Sequence, residues 1–237
     1  LSAMLKCQQS VLKAAAKTIL DQKLNILRTI SQKDYVQFHS PMFNASVGGH
    51  IRHSIDHFSI LFSQDFSKPS PEIIDYDVRD RQTDIETNKE SALQKTSELI
   101  AQVDQLFESE SSSELLSTPV TVRFIGDAVT GDTYCASSSL AREVSFVAHH
   151  GIHHLSTVKL IMEHMDYELG DGVGKAFATI KHDDEVAAAS ASATGASASA
   201  GAGAGAVGAV GAGAGAGAGG AKTSRELGSL HYTPAAG

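Results

Sequence analysis

Histidines concentrate in one stretch of the chain, at the spacing that lets two of them bind one metal ion. The segment 139–165 contains His150 and His154, four residues apart. A helix has 3.6 residues per turn, so imidazoles at positions i and i+4 lie on one face and can converge on one cation. His149 and His153 form a second such pair on the flank of that face. Buried histidines held by hydrogen bonds are the simpler alternative, but two at ligand spacing favour a metal site.

The element that must position these side chains is a long amphipathic helix over 139–165. Three serines, Ser137–Ser139, offer a hydroxyl that can accept a hydrogen bond from a free backbone N–H at the helix start. Helical spacing gathers one mainly apolar stripe. Its members are Glu143, Phe146, Val147, His150, His154, Thr157, Val158, Ile161 and Met165. The two histidines therefore face the protein core.

A second predicted helix supplies the further histidines that a metal site needs. Periodic apolar residues over 46–64 predict this helix, and it carries His50, His53 and His57. On a helical wheel, His50 and His57 lie nearer the apolar stripe than His53 does. Gly48, near the start of this helix, lowers helix stability unless another part of the backbone approaches it closely.

The rest of the chain completes an all-α four-helix bundle. A first helix is predicted over 3–30, and a third begins with the capping-box spacing of Thr83 to Glu86 and ends near Phe107. Alternating residues over 118–137 predict a short β hairpin before the fourth helix. Metal sites in such bundles are built in the core from facing helices.

Composition divides the chain into a folded part and a tail. Residues 1–182 are predicted to form the bundle domain, and residues 183–237, rich in Ala, Gly and Ser, a disordered tail. A net charge of −8 argues against non-specific nucleic-acid binding. We see no membrane span and no signal peptide, and the two cysteines form no CxxC motif. These features predict a cytoplasmic protein.

Several motifs resemble the DinB/YfiT-like superfamily, in particular its poorly characterised bacterial-type branch. They are SVGGHIRHSIDHF in the second helix, the loop DYDVRDR, Ile85-Glu86, and LAREVSFVAHHGIHH in the fourth helix. The resemblance covers about 46–179 and implies a four-helix bundle. It also implies a divalent metal ion held by one histidine of the second helix and the His-x-x-x-His pair of the fourth.

The resemblance assigns this pair to His150 and His154. Related sequences tend to read His-x-x-Asp at the second-helix ligand, which here implies His53, with His50 and His57 as the alternatives.

Other residues match the family pattern outside the ligands. They are Arg79, Arg81, Glu86, Arg142 and Glu143. We expect them to form ion pairs at one end of the bundle. For Glu143 two roles remain open: orienting a ligand histidine, or pairing with Arg79 or Arg81. Tyr76 is expected to be a half-buried loop aromatic.

The resemblance implies a metal-dependent enzyme that uses zinc, nickel, manganese or iron. The reaction expected is thiol S-transfer or hydrolysis, with a small-molecule substrate. Neither Cys7 nor Cys135 lies in these motifs, so a thiol nucleophile would come from a cosubstrate. The alternative is a non-enzymatic metal-binding or stress-response protein, and the third interpretation is a structural bundle. Relatives often pair, so a homodimer is expected.

Overall fold

The computed structural model describes residues 2–66, 73–78, 83–108 and 112–199. Arg79 and Arg81, for which ion pairs were predicted, lie outside these ranges. The chain divides into two units, residues 1–189 and 190–237. In chain order, the elements are α1 (Ser2–Thr29), α2 (Gln32–Val36), α3 (Val47–Phe62), β1 (Ile74–Asp75), α4 (Lys89–Glu108), α5 (Ser112–Leu116), β2 (Pro119–Ile125), β3 (Thr133–Ser139), α6 (Leu140–His164) and α7 (Phe177–Ser199).

The described part of the chain is mostly helical, as the sequence predicted, with one small sheet. The helices α1 and α3 each pack against both α4 and α6. Apolar side chains at their contacts form the core, because burying them removes apolar surface from water. Fully buried examples are Leu20, Phe58, Leu99, Val147 and Leu155. The predicted first, second and fourth helices are confirmed, within two residues at each end.

Serine caps begin both histidine-bearing helices. The hydroxyl of Ser46 accepts from the backbone N–H of Gly49, and that of Ser139 accepts from the N–H of Arg142. Next to the first cap, a methyl group on Gly48 would overlap the backbone carbonyl oxygen of Glu86. Glycine therefore lets the start of α3 lie directly against the segment that precedes α4.

The third long helix, α4, begins later than the sequence predicted. Residues 85–87 form a turn, and α4 begins at Lys89. The side-chain oxygen of Asn88 accepts from the N–H groups of Glu90 and Ser91, so Asn88 is the actual cap. The capping-box prediction at Thr83–Glu86 is wrong, because the hydroxyl of Thr83 has no hydrogen-bond partner among the described residues.

The predicted hairpin is confirmed and belongs to a three-stranded sheet. β2 and β3 pair antiparallel from Pro119 opposite Ser139 to Ile125 opposite Thr133. Gly131, in the connecting turn, has a φ of 75°, a conformation that favours glycine. The sequence did not predict β1, which pairs in parallel with β2 at the sheet edge.

The segment that follows α6 differs in part from the prediction. The side chain of Gln22 donates to the carbonyl of Gly172, so the glycine-rich connection packs back onto α1. Beyond it, Phe177–Ser199 is helical, although a disordered tail was predicted from residue 183. Alanine has the highest helix propensity of all residues, which explains the difference. The rest of that predicted tail, residues 200–237, lies outside the described residues.

None of the helices in the described residues is both long and apolar enough to cross a membrane.

Candidate metal centre

Five histidines from two packed helices meet at one place in the core. α3 contributes His50, His53 and His57, and α6 contributes His150 and His154. The positions on α3 are three and four residues apart, so all three rings lie on the face that α3 turns towards α6. We call these five residues the histidine cluster.

Two pairs of ring nitrogens in this cluster have the spacing of neighbouring ligands around one ion. The Nε2 atom of His150 lies 3.2 Å from Nε2 of His53 and 3.0 Å from Nε2 of His154. Zinc–imidazole bonds of about 2.0–2.1 Å place neighbouring nitrogens of a tetrahedral site about 3.3 Å apart. The structure thus places a ring nitrogen of His53 and one of His154, both expected from the sequence and the resemblance, within ligand spacing of His150.

His57 offers a second way to complete a three-histidine site. One ring nitrogen each from His53, His57 and His150 lie within 4.8 Å of one another. The Nδ1 of His57 is 2.9 Å from the backbone carbonyl oxygen of His53. A carbonyl can only accept, so Nδ1 carries the proton and Nε2 keeps a lone pair for a metal ion. The sequence left His57 as an alternative to His53, whereas in this group it lies beside His53 and takes the place of His154.

His50 meets the cluster from the far side of His154. Its Nδ1 lies 3.0 Å from Nδ1 of His154, whereas Nε2 of His154 faces His150. His50 therefore contacts the non-ligating nitrogen of a candidate ligand. Such partners fix the orientation and the tautomer of a ligating ring.

Burial favours the neutral form of two histidines of the cluster, His154 and His50. It lowers the pKa of His154 to about 2, and the charges of the neighbouring His150 and His53 act in the same direction. Burial likewise lowers the pKa of His50. Only the neutral imidazole has a free lone pair, so His154 is a competent ligand at any ordinary pH.

A buried carboxylate supports the other side of the cluster. Glu143 is fully buried and accepts from the hydroxyls of Tyr76 (2.9 Å) and Ser138 (2.5 Å) and from Arg142 (2.8 Å). The ring of Tyr76 stacks on His57, with centroids 5.1 Å apart and an interplanar angle of 8°.

These contacts bear on the roles considered for the two side chains. Glu143 pairs with Arg142 and supports His57 through Tyr76, whereas the predicted pairing with Arg79 or Arg81 lies outside the described residues. Tyr76 is buried, whereas a half-buried loop aromatic was expected. Its burial and the negative charge of Glu143 raise the pKa of Tyr76, so its hydroxyl remains a donor.

Two pockets reach the cluster from different sides. The first, which we call the α3 pocket, has a volume of about 470 Å³ and is lined by His50, His53 and His154 together with Arg52 and Glu86. The second, which we call the sheet pocket, has a volume of about 400 Å³. Its lining includes His57, Tyr76, Phe124, Arg142 and Phe146. Small molecules could therefore approach the histidines from two directions.

The other two histidines on α6 are exposed. The Nδ1 of His149 lies 2.8 Å from the carbonyl oxygen of Ser145 on the preceding turn. The ring of His153 contacts the edge of the cluster, with its centroid 5.1 Å from that of His154. The helical wheel predicted that His149 and His153 lie on the flank of the apolar stripe, and their exposure in the structure agrees with this prediction.

Comparison with known proteins does not place the chain in a family. No protein-family model matches it, and no solved structure matches it. One curated protein, the FK506-binding protein 5 of Rhizopus delemar, is 29% identical over 110 residues, which are 46% of this chain and 27% of that protein. The chain thus spans about a quarter of the length of that relative. This similarity does not bear on the resemblance to DinB/YfiT-like proteins.

Proposed function

We propose that this chain binds one divalent metal ion through His53, His150 and His154, and that it is a metal-dependent enzyme of the DinB/YfiT-like superfamily. The observation that carries the proposal is the spacing of the three Nε2 atoms, 3.2 Å and 3.0 Å from the central one. The pairwise packing of α1, α3, α4 and α6 supports a four-helix bundle of the kind the resemblance implies.

The donor set suits zinc, nickel, manganese or iron. Three neutral imidazoles leave coordination positions open, and a bound ion would supply Lewis acidity that lowers the pKa of a water or thiol there. The protein's own part is to orient the rings. His50 does this for His154, and the carbonyl of His53 does it for the alternative ligand His57.

The two pockets favour S-transfer over hydrolysis. A transferase must hold two organic substrates beside the centre, whereas a hydrolase needs only one together with water. The α3 pocket reaches His53 and His154, and the sheet pocket reaches His57. Both cysteines are exposed, and neither lines these two pockets. We therefore propose an external thiol as one substrate and an electrophile as the other, with metal-assisted hydrolysis as the runner-up.

One observation favours a second candidate, a metal-binding protein without catalysis. His57 lies within ligand reach of His53 and His150. If it bound together with His154, four imidazoles would close a tetrahedral site, as in structural zinc sites. No position would then remain for a substrate.

Elemental analysis of untagged protein, purified without added metal and after metal loading, tests the metal site. We expect about one ion per chain, and loss of at least a hundredfold in affinity in His150→Ala, because the central ligand is removed. His149→Ala is the matched control, since it removes an exposed histidine one residue away on the same helix. Equal metal content in His150→Ala and the unchanged protein would show that His150 is not a ligand, which contradicts the proposed site.

A comparison of His154→Ala with His57→Ala identifies the third ligand. We expect His154→Ala to lose the ion and His57→Ala to keep it, because Nε2 of His154 lies 3.0 Å from that of His150. The reverse result would assign the site to His53, His57 and His150. Loss of affinity in both, without thiol-transfer or hydrolytic activity on a broad substrate panel, would favour the non-catalytic protein.

A further inference from the structure

We propose that the α3 pocket binds a small organic carboxylate, whose negative group pairs with Arg52 beside the metal centre. This inference rests on the proposed metal site and adds the class of ligand that the site accepts. The pocket's volume, about 470 Å³, lies in the range of small-molecule sites. Arg52 lines this pocket. In the sequence of α3 it lies between His50 and His53, which line the pocket as well.

Arg52 makes one close ion pair in the described part of the chain. Its Nη1 lies 3.1 Å from a carboxylate oxygen of Glu86. Its Nε is buried and lies 3.9 Å from Asp56, which is too far for a hydrogen bond, so a ligand in the pocket would bind to the Nη atoms. A guanidinium carries five N–H donors in a planar fork that suits a carboxylate.

The pocket gains positive charge when an ion binds. Its lining includes one arginine and one carboxylate, Arg52 and Glu86, whose charges balance. Neutral imidazoles do not compensate a divalent cation, so metal loading leaves the pocket with a net positive charge. Such a charge at a half-buried site favours an anion.

The start of α3 adds to this preference. Ser46 and Gly49, from the cap and first turn of the helix, line the same pocket. The first turn of a helix carries a partial positive charge that stabilises nearby anions. In a chain with a net charge of −8, this makes the α3 pocket a locally favourable place for a carboxylate.

The sheet pocket is the poorer candidate for the carboxylate. Its arginine, Arg142, already donates to the fully buried carboxylate of Glu143 and lies over the ring of Phe146. Taking Arg142 away from Glu143 would leave a buried charge without its ion-pair partner. Glu86, by contrast, is 42% exposed, so water can solvate it when a ligand competes for Arg52.

The test uses the full-length protein loaded with Co²⁺ and titrated with succinate, followed by the visible absorption of the ion. Arg52→Gln should weaken succinate binding at least tenfold while leaving the Co²⁺ affinity within about threefold, because the arginine contacts the anion and not the ion. Glu86→Gln should tighten succinate binding several-fold, since it removes the competing carboxylate. Arg123→Gln, which removes an arginine on the sheet that is paired with Asp75, should change neither value.

The outcomes separate this inference from the proposed metal site. If Arg52→Gln shows a normal Co²⁺ spectrum and an unchanged affinity for succinate, the carboxylate site is overturned and the metal site is not. A tenfold loss in Arg142→Gln instead of Arg52→Gln assigns the anion to the sheet pocket and overturns it as well. Absence of a Co²⁺ spectrum in the unsubstituted protein overturns both proposals.

Discussion

Lys23 is the residue whose environment differs most from that of an ordinary surface lysine. Its side chain is fully buried, and Nζ lies 4.4 Å from the centroid of the Phe58 ring. Nζ has no hydrogen-bond partner among the described residues. Burial lowers the pKa of Lys23 from 10.5 to about 7, because the charged form loses its hydration.

Lys23→Met should stabilise the protein, and the gain should depend on pH. Between pH 7 and 10.5 the unfolded chain binds a proton at Lys23 that the folded chain does not, so stability of the unchanged protein rises with pH. The variant lacks this penalty. Its advantage should be about 2–4 kcal/mol at pH 6 and should vanish near pH 10.5. Urea unfolding at pH 6, 8 and 10 measures it.

Lys17→Met is the control for this experiment. Lys17 lies on the same helix but is partly exposed and pairs with Asp104 at 2.6 Å. Its removal should produce no gain at any of these pH values. A pH-independent difference between Lys23→Met and the unchanged protein would contradict the assigned pKa.

At the residue scale, the sequence predicted the histidines better than it predicted Lys23. The i, i+4 spacing on an apolar stripe was enough to select His150 and His154. The same reasoning could not choose among His50, His53 and His57, because that choice depends on how α3 lies against α6. Lys23 is one of several polar residues between the apolar positions of α1, and nothing in that pattern distinguishes it as buried.

At the scale of elements, the start of α3 depends on two adjacent glycines in different surroundings. A methyl group on Gly48 would overlap a backbone carbonyl of Glu86, whereas on Gly49 it would meet nothing closer than 3.4 Å. Gly48→Ala should cost about 2 kcal/mol of stability, because backbone cannot move aside as a side chain can. Gly49→Ala should be neutral or stabilise by up to about 1 kcal/mol, since alanine favours helix.

Denaturant unfolding of both variants checks this prediction, with metal affinity as a second readout. Because Gly48 precedes His50 by two residues, its substitution should also weaken metal binding if the start of α3 shifts. Equal stability of the two variants would show that the contact with Glu86 does not constrain the helix.

The elements also show where local sequence rules stop being sufficient. The fourth helix was predicted with its cap because Ser139, the apolar stripe and the helix length all agree. The start of α4 was not, because Thr83 and Glu86 have capping-box spacing although it is Asn88 that caps the helix. The helix α7 was missed because an Ala-rich segment has high helix propensity but no apolar stripe.

At the scale of the whole molecule, two features end near the start of α7: the resemblance to DinB/YfiT-like proteins and the packing of side chains against the hydrophobic core. The resemblance covers residues up to about 179. Phe177 packs partly buried against the core, whereas all residues from 181 to 191 are exposed. Exposed residues remove little apolar surface from water, so they add little to the free energy of folding.

Deleting residues 190–237 should therefore leave the thermal midpoint of the remaining unit within about 2 °C, since 1 kcal/mol corresponds to about 2–4 °C in a protein of this size. Metal affinity should not change, because the histidine cluster lies within residues 50–154. A longer deletion from residue 177 is the matched comparison and should lower the midpoint, because it removes Phe177 from the core. Differential scanning calorimetry measures both. A fall of several degrees in the shorter deletion would mean that residues 190–237 stabilise the folded unit, contrary to the linker role expected from their composition.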